Sequence, residues 1–383
     1  MRLLHAVGLA LILLVGGACS GEPAGGPATD VRPPSEATVG RWSRLPDLPL
    51  SPRRGPVVAA VGGRVVVVGG YTGFPCPPHA DCVYDDDFAR DGVTLHDGGW
   101  QPIADLPVQI PERASSAVLP SGLFVLAEGE ILHWRSDEDA WSRIPLPRGQ
   151  QHGALVAHDG RLHLVQGSDE LGERPDYVLT QAGAWEPLPD DPYDASFDRA
   201  MVSTPHGLVL TRRSIAAVDR GTGATFVEAA VLRADRWREL GRSDQLGGGR
   251  WAWAGERAVD ATLGGADGGQ VNGFGRVIPY GGRLDPATGR WSRLPAAPGE
   301  RSGGWQVEAY EGPVVASSGY LYDDARGSWT RLPAPEGAPE APGPAAWLDD
   351  AVVVVGGEDW RGVSGRAEPA DVWSGRVWLW KVG

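Results

Sequence analysis

From Trp42 to Gly70 the chain reads WSRLPDLPLSPRRGPVVAAVGGRVVVVGG. A tryptophan segment ends at Leu45-Pro46, and a proline-rich turn then leads to the paired arginines Arg53 and Arg54. Two apolar runs follow, Val57 to Val61 and Val65 to Val68, separated by Gly62-Gly63 and closed by Gly69-Gly70. A Gly-Gly pair supplies the positive φ angles of a two-residue hairpin. Apolar runs without polar alternation suit strands buried on both faces.

The opening of this stretch recurs. Its copies begin at Trp42, Trp100, Trp141, Trp185, Trp237, Trp291 and Trp329, each followed three residues later by Leu or Ile and usually then by Pro. The spacings lie between 38 and 58 residues, the length of one four-stranded propeller blade. The paired apolar runs recur as well. Ala117-Val118-Leu119 turns into Leu123 to Leu126, Ala154-Leu155-Val156 turns at Asp159-Gly160, and Ala345 to Leu348 turns into Ala351 to Val355. No long amphipathic helix interrupts them. The fold expected is all-β: a seven-bladed β-propeller of four-stranded blades over residues 38–383. The last blade lacks a tryptophan strand, and the segment Thr38 to Leu45 is expected to fill the vacancy and remove the open edge. Six or eight blades are the alternative counts, because the stretch from Trp185 to Trp291 is long.

The double glycines 69-70 and 356-357, the Trp-x-x-Leu-Pro segments, and stretches such as Leu284-Asp285-Pro286-Ala287-Thr288-Gly289-Arg290-Trp291 resemble the kelch family and the kelch-type propeller of galactose oxidase. The resemblance covers nearly all of residues 40–383. Blades two to six depart from it at the double glycine, with Ala127-Glu128, Gln166-Gly167, Thr211-Arg212, Leu263-Gly264-Gly265 and Ser317-Ser318 in its place. In such a fold, loops from several blades meet over the channel, at the turn into each innermost strand. The residues there are Arg53, Arg54, Arg113, Gln151, His152, Asp198, Arg199, Arg250 and Arg301. Arg54, Arg113, His152, Arg199, Arg250 and Arg301 form the candidate binding set, able to hold an anionic or hydroxylated ligand through bidentate hydrogen bonds. The alternative is that these side chains satisfy backbone carbonyls around the channel. The seven repeated tryptophans read as packing between blades. Trp134, Trp251, Trp253, Trp305, Trp360 and Trp373 fall outside the repeat and are candidates for stacking on sugar rings at the mouth.

Enzyme signatures are missing. The copper-radical site of galactose oxidase needs a cysteine crosslinked to a tyrosine, and here the only cysteines after Cys19 share one loop. Ser136-Asp137-Glu138-Asp139-Ala140-Trp141 approaches the sialidase Asp-box without its glycine. No zinc motif, nucleophile elbow or phosphate loop occurs. The acidic loop Asp81, Asp85, Asp86, Asp87 and Asp91 matches no ordered calcium motif, which favours a solvated loop. No catalytic residue, metal site or cofactor is expected.

The N-terminus supplies an address. Arg2, the apolar run Leu3 to Val15 and the small residues Gly16, Gly17 and Ala18 make a secretory signal over 1–18. Cys19-Ser20-Gly21 then resembles the lipobox of bacterial lipoproteins, with Gly16 standing where Leu is usual; an ordinary cleaved signal is the alternative. Residues 19–37 carry the cysteine to be lipidated and a Gly/Pro/Ala-rich flexible tether. In an oxidising compartment Cys76 and Cys82 are expected to form a disulfide, the alternative being a metal site with His79. The formal net charge is −14 and Lys381 is the only lysine, so nucleic acid is excluded as a partner. The function expected is a surface-displayed, non-catalytic propeller lipoprotein. It would be anchored to the membrane by lipid alone, face the extracytoplasmic side, and bind an extracellular protein or glycan as a monomer. A carbohydrate-active enzyme with a dispersed site at the mouth is the alternative, and a structural module of an envelope assembly is a third reading.

Overall fold

The computed structural model describes residues 38–172, 174–216, 225–266, 277–299 and 303–383. Cys19, with the whole of 1–37, and Arg301 lie outside them. The described chain is a seven-bladed β-propeller. Blade 1 runs from channel to rim as Val57–Val61, Arg64–Val68, Gly92–His96 and Gly99–Ile103, each strand antiparallel to the next. Blades 2, 3 and 4 repeat this order over residues 116–145, 154–187 and 196–242. Blade 5 spans 251–292 and carries an extra short hairpin, Gly265–Ala266 with Ile278–Pro279, which accounts for the long spacing before Trp291. Blade 6 has three regular strands, and its innermost position is held by a single bridge between Ala309 and Ala316. A one-turn helix, Pro369–Val372, precedes the strand Trp373–Lys381 in blade 7.

The ring closes as the sequence implies. Trp42–Leu45 forms the outermost strand of blade 7, with Trp42 opposite Trp380 and Leu45 opposite Val377. The second apolar run of each pair is buried on both faces, whereas the innermost run, such as Val57–Val61, leaves alternate residues half-buried toward the channel. Val66 and Val68 belong to the core between blades 1 and 2, whereas Val65 and Val67 belong to the core between blades 7 and 1. All four are fully buried. Burying one such side chain contributes about 1.5–3 kcal/mol before chain entropy is charged against it. Seven apolar clusters arise in this way, one in each seam between neighbouring blades.

The repeated tryptophans are only half-buried, and each does more than pack. Every one donates its indole N–H to a backbone carbonyl of the preceding blade's tryptophan segment. Trp100 donates to Pro46 at 2.9 Å, Trp141 to Ala104 at 2.8 Å, Trp185 to Pro145 at 2.9 Å and Trp237 to Pro189 at 2.8 Å. Trp329 donates to Pro295 at 3.1 Å, and Trp42 completes the circle on Pro333 at 2.5 Å. The acceptor lies four residues after the preceding tryptophan in each of these. Trp291 differs, donating to Leu240 at 3.0 Å, three residues after Trp237. There Gly241, at φ +72°, replaces the usual proline and the strand continues to Arg242 through a register shift. The second half of the repeated motif thus serves as the acceptor for the next blade's first half.

Candidate functional site

The loops that enter the innermost strands gather at one mouth of the channel, together with the long loop of blade 1. Gly69 and Gly70 put the blade 1 loop there. Both adopt positive φ, and a methyl group on Gly69 would meet Ile110 Cδ1 at 2.8 Å. The turn brings Tyr71 into a two-way backbone pairing with Arg54. Cys76 and Cys82 beyond it are joined in a disulfide, which removes the metal alternative at that loop. Tyr84 then folds back over Arg54, whose guanidinium lies 4.8 Å from the ring centroid and donates to the phenol oxygen at 3.1 Å.

The candidate residues divide into two groups. Arg54 is consumed by Glu112 of the next loop, with Nη2 2.6 Å and Nε 2.9 Å from its carboxylate oxygens. Arg53 is buried and holds Asp91 at 2.7 Å and the Gly69 carbonyl at 3.0 Å. Arg199 is buried between blades 3 and 4. It donates to Asp176 at 2.6 Å, Asp191 at 2.8 Å and the Gln166 carbonyl at 3.2 Å, with Asp169 3.7 Å away. Burial pushes the Asp176 carboxyl up to about 6 in spite of that guanidinium. These three arginines clamp the structure. Asp198 is bound in turn by Arg213 at 2.9 Å.

Arg113, His152 and Arg250 are exposed. Arg113 makes no ion pair among the described residues, and its backbone sits at φ +51°, anchored by its N–H on the Gly55 carbonyl at 2.8 Å. His152 engages through its backbone, accepting from Gln166 Nε2 at 3.2 Å. Arg250 leans over the Tyr310 ring at 4.9 Å and lies 3.6 Å from Glu311. Arg113 and Arg250 line a cavity of about 720 Å³ in the channel. Its walls mix small residues, such as Ser115, Ala154, Ala200 and Ala252, with larger ones, Leu155, Met201, Trp251 and Trp253. Burial and the neighbouring Glu308 push the Tyr310 phenol up to about 12, so it stays a neutral donor.

Sequence reasoning missed Glu308, Tyr310 and Glu311, because blade 6 enters the channel without a regular innermost strand and so without the repeat's landmarks. Of the non-repeat tryptophans, Trp251 and Trp253 line the channel cavity. Trp134, Trp251, Trp305 and Trp373 are buried in the cores, and Trp253 and Trp360 are half-buried. Among the described residues no group of three or more His, Cys, Asp or Glu is placed to hold a metal ion. No described helix is long and apolar enough to cross a membrane.

No family model matches the chain, and no curated protein matches it. Solved structures do match. One, described as "Structure of YjhT", is 12% identical, covers 87% of this chain and 95% of its own, and superposes with a TM-score of 0.44.

Proposed function

We propose that this chain is a kelch-type propeller lipoprotein, lipidated at Cys19, that binds an acidic segment of an extracellular protein or an acidic glycan at its channel mouth without transforming it. The observation that carries this reading is the division among the arginines. Arg54 and Arg199 are spent on internal carboxylates, while Arg113 and Arg250 stand uncommitted or weakly paired at the wall of the channel cavity. An exposed guanidinium offers a planar fork of donors to a carboxylate or sulfate. Further support comes from the direction of the chain. Val39 pairs with Lys381, and Lys381 lies 3.5 Å from Asp350 in the tight turn of blade 7, on the face opposite the mouth. The polypeptide therefore joins the ring away from the proposed site. A second reading, a carbohydrate-active enzyme, draws on Arg250, Tyr310 and Glu311 standing together in the channel, an arginine beside an acid and a phenol.

An array of sulfated and carboxylated glycans, with acidic peptides printed beside them, tests the first reading. Binding is expected to weaken by about tenfold or more in Arg113→Ala and Arg250→Ala, a loss of about 1.4 kcal/mol or more. Binding that both variants leave intact would overturn the site. Release of sugar from a bound glycan, lost in Glu311→Gln, would replace the first reading with the second.

A further inference from the structure

On the face opposite the mouth, the seam between blades 3 and 4 opens into a cleft of about 830 Å³. Leu208 and Leu232 form its apolar floor, while His158, His163 and Glu186 of blade 3 and Arg233 of blade 4 line its walls. His163 sits at the back, 2% exposed, and its Nδ1 is buried with no hydrogen-bond partner. Buried polar atoms are nearly always paired, which makes this nitrogen unusual; the ring itself lines the cleft, with the Val156 and Arg161 backbone beside it. The His158 ring lies 5.9 Å from that of His163, and its Nδ1 is held by Ser203 Oγ at 3.0 Å. Burial keeps the His163 imidazole neutral, with its pKa down at about 4, and lowers that of His158 as well.

The cleft therefore offers charges of both signs, Arg161 and Arg233 against Asp159, Glu186 and Asp235, together with the His158, His163 and His206 imidazoles and an apolar floor. A net anion would meet Asp159, Glu186 and Asp235 and a net cation would meet Arg161 and Arg233, whereas a hydroxyl group donates and accepts at once. We propose that this cleft binds a neutral saccharide of one or two rings, with its C–H surface on the Leu208 and Leu232 floor and its hydroxyls toward His163, His158, Glu186 and Arg233. The volume is of the size that small-ligand sites have. The proposal is independent of the channel mouth, and the two can fail separately.

The test is saturation-transfer NMR and titration calorimetry of the full chain with glucose, galactose, mannose, N-acetylglucosamine, maltose, cellobiose and lactose. At least one sugar is expected to bind saturably. The affinity should fall by about tenfold in the exposed double variant Glu186→Ala with Arg233→Ala, and again in His163→Phe, while Arg113→Ala and Arg250→Ala leave it unchanged. Silence across the whole panel would overturn the proposal. So would a sugar signal that survives the double variant, or one lost with Arg250. Glu186 and Arg233 are exposed, so the double variant tests the cleft even if His163→Phe fails to fold.

Discussion

The seams between blades 1 and 2 and between blades 3 and 4 are built on the same strands in the same register, and they are filled with opposite chemistry. In blade 1 the hairpin runs Val57–Val61 into Arg64–Val68, with Val61 opposite Arg64 and Ala59 opposite Val66. In blade 3 it runs Ala154–His158 into Arg161–Val165, with His158 opposite Arg161 and Val156 opposite His163. Val61 and Val66 thus correspond to His158 and His163. Beneath the Arg54–Glu112 pair the first seam is apolar, with Leu123, Val125 and Leu132 of blade 2 against the blade 1 valines. The second keeps only a thin apolar band around Val165, Met201, Leu208 and Leu210. Above the band lies the Arg199 clasp, and below it the histidine cleft. The indole hydrogen bonds of Trp141 on Ala104 and of Trp237 on Pro189 span both seams alike. Packing that one seam gives up becomes room for chemistry.

The sharpest way to break the comparison is to remove the clasp. Arg199→Met leaves the buried Asp176 and Asp169 and the half-buried Asp191 without their cation, and should cost about 4 kcal/mol in urea unfolding. A cost no greater than that of a surface substitution would show that the carboxylates find other partners. Next come matched truncations across the two seams. Leu123→Ala, in the apolar seam, should cost about 3 kcal/mol, and Leu208→Ala about 2 kcal/mol, because the space it leaves joins a cleft that is already open. Equal costs would mean that the lower half of the blade 3–4 seam is as tightly packed as its counterpart.

The third effect is smaller and depends on pH. The folded-state pKa of His163 is depressed to about 4, so its contribution is present above the ordinary histidine value and is lost as pH falls toward 4. Asp176 is raised to about 6, so its contribution is present in acid and is lost as pH rises through 6. The two act in opposite directions at opposite ends of one seam, and the wild-type pH profile is therefore partly flattened. The stability difference between His163→Phe and wild type isolates the histidine and should shift in the variant's favour by about 2 kcal/mol between pH 7 and pH 5. A difference independent of pH would show that His163 protonates freely in the folded state.

The propeller was legible in the sequence because it rests on local, repeated signals: tryptophan spacing, apolar pairs, and Gly62-Gly63 at a tight turn. Closure by Trp42–Leu45 followed from counting strands. The indole-to-carbonyl circle was not legible, since both of its halves lie in a motif that reads as simple packing. The candidate site was legible only as positions. Arg54, Arg113 and Arg250 stand just before their innermost strands and Arg199 at the bulge within Ser196–Thr204, yet their fates depend on carboxylates elsewhere in the sequence. Glu112 captures Arg54, and Asp176 and Asp191 capture Arg199, whereas Arg113 finds no such partner among the described residues. His163 did leave a trace, a polar residue within Arg161–Val165 where Arg64–Val68 has only valine after its arginine.

The meeting of the chain ends has one more consequence. Val39 bridges Lys381, and a methyl group placed on Gly383 would come within 2.6 Å of Val39. The ring therefore has no topological beginning. A short linker from Gly383 to Thr38, with new termini cut at the exposed Asp159-Gly160 turn, reorders the polypeptide while leaving every seam the same neighbours. Which blade comes first in the gene is a matter of where the circle was opened, and the outermost strand of blade 7 is an ordinary strand that happens to have been cut from its blade.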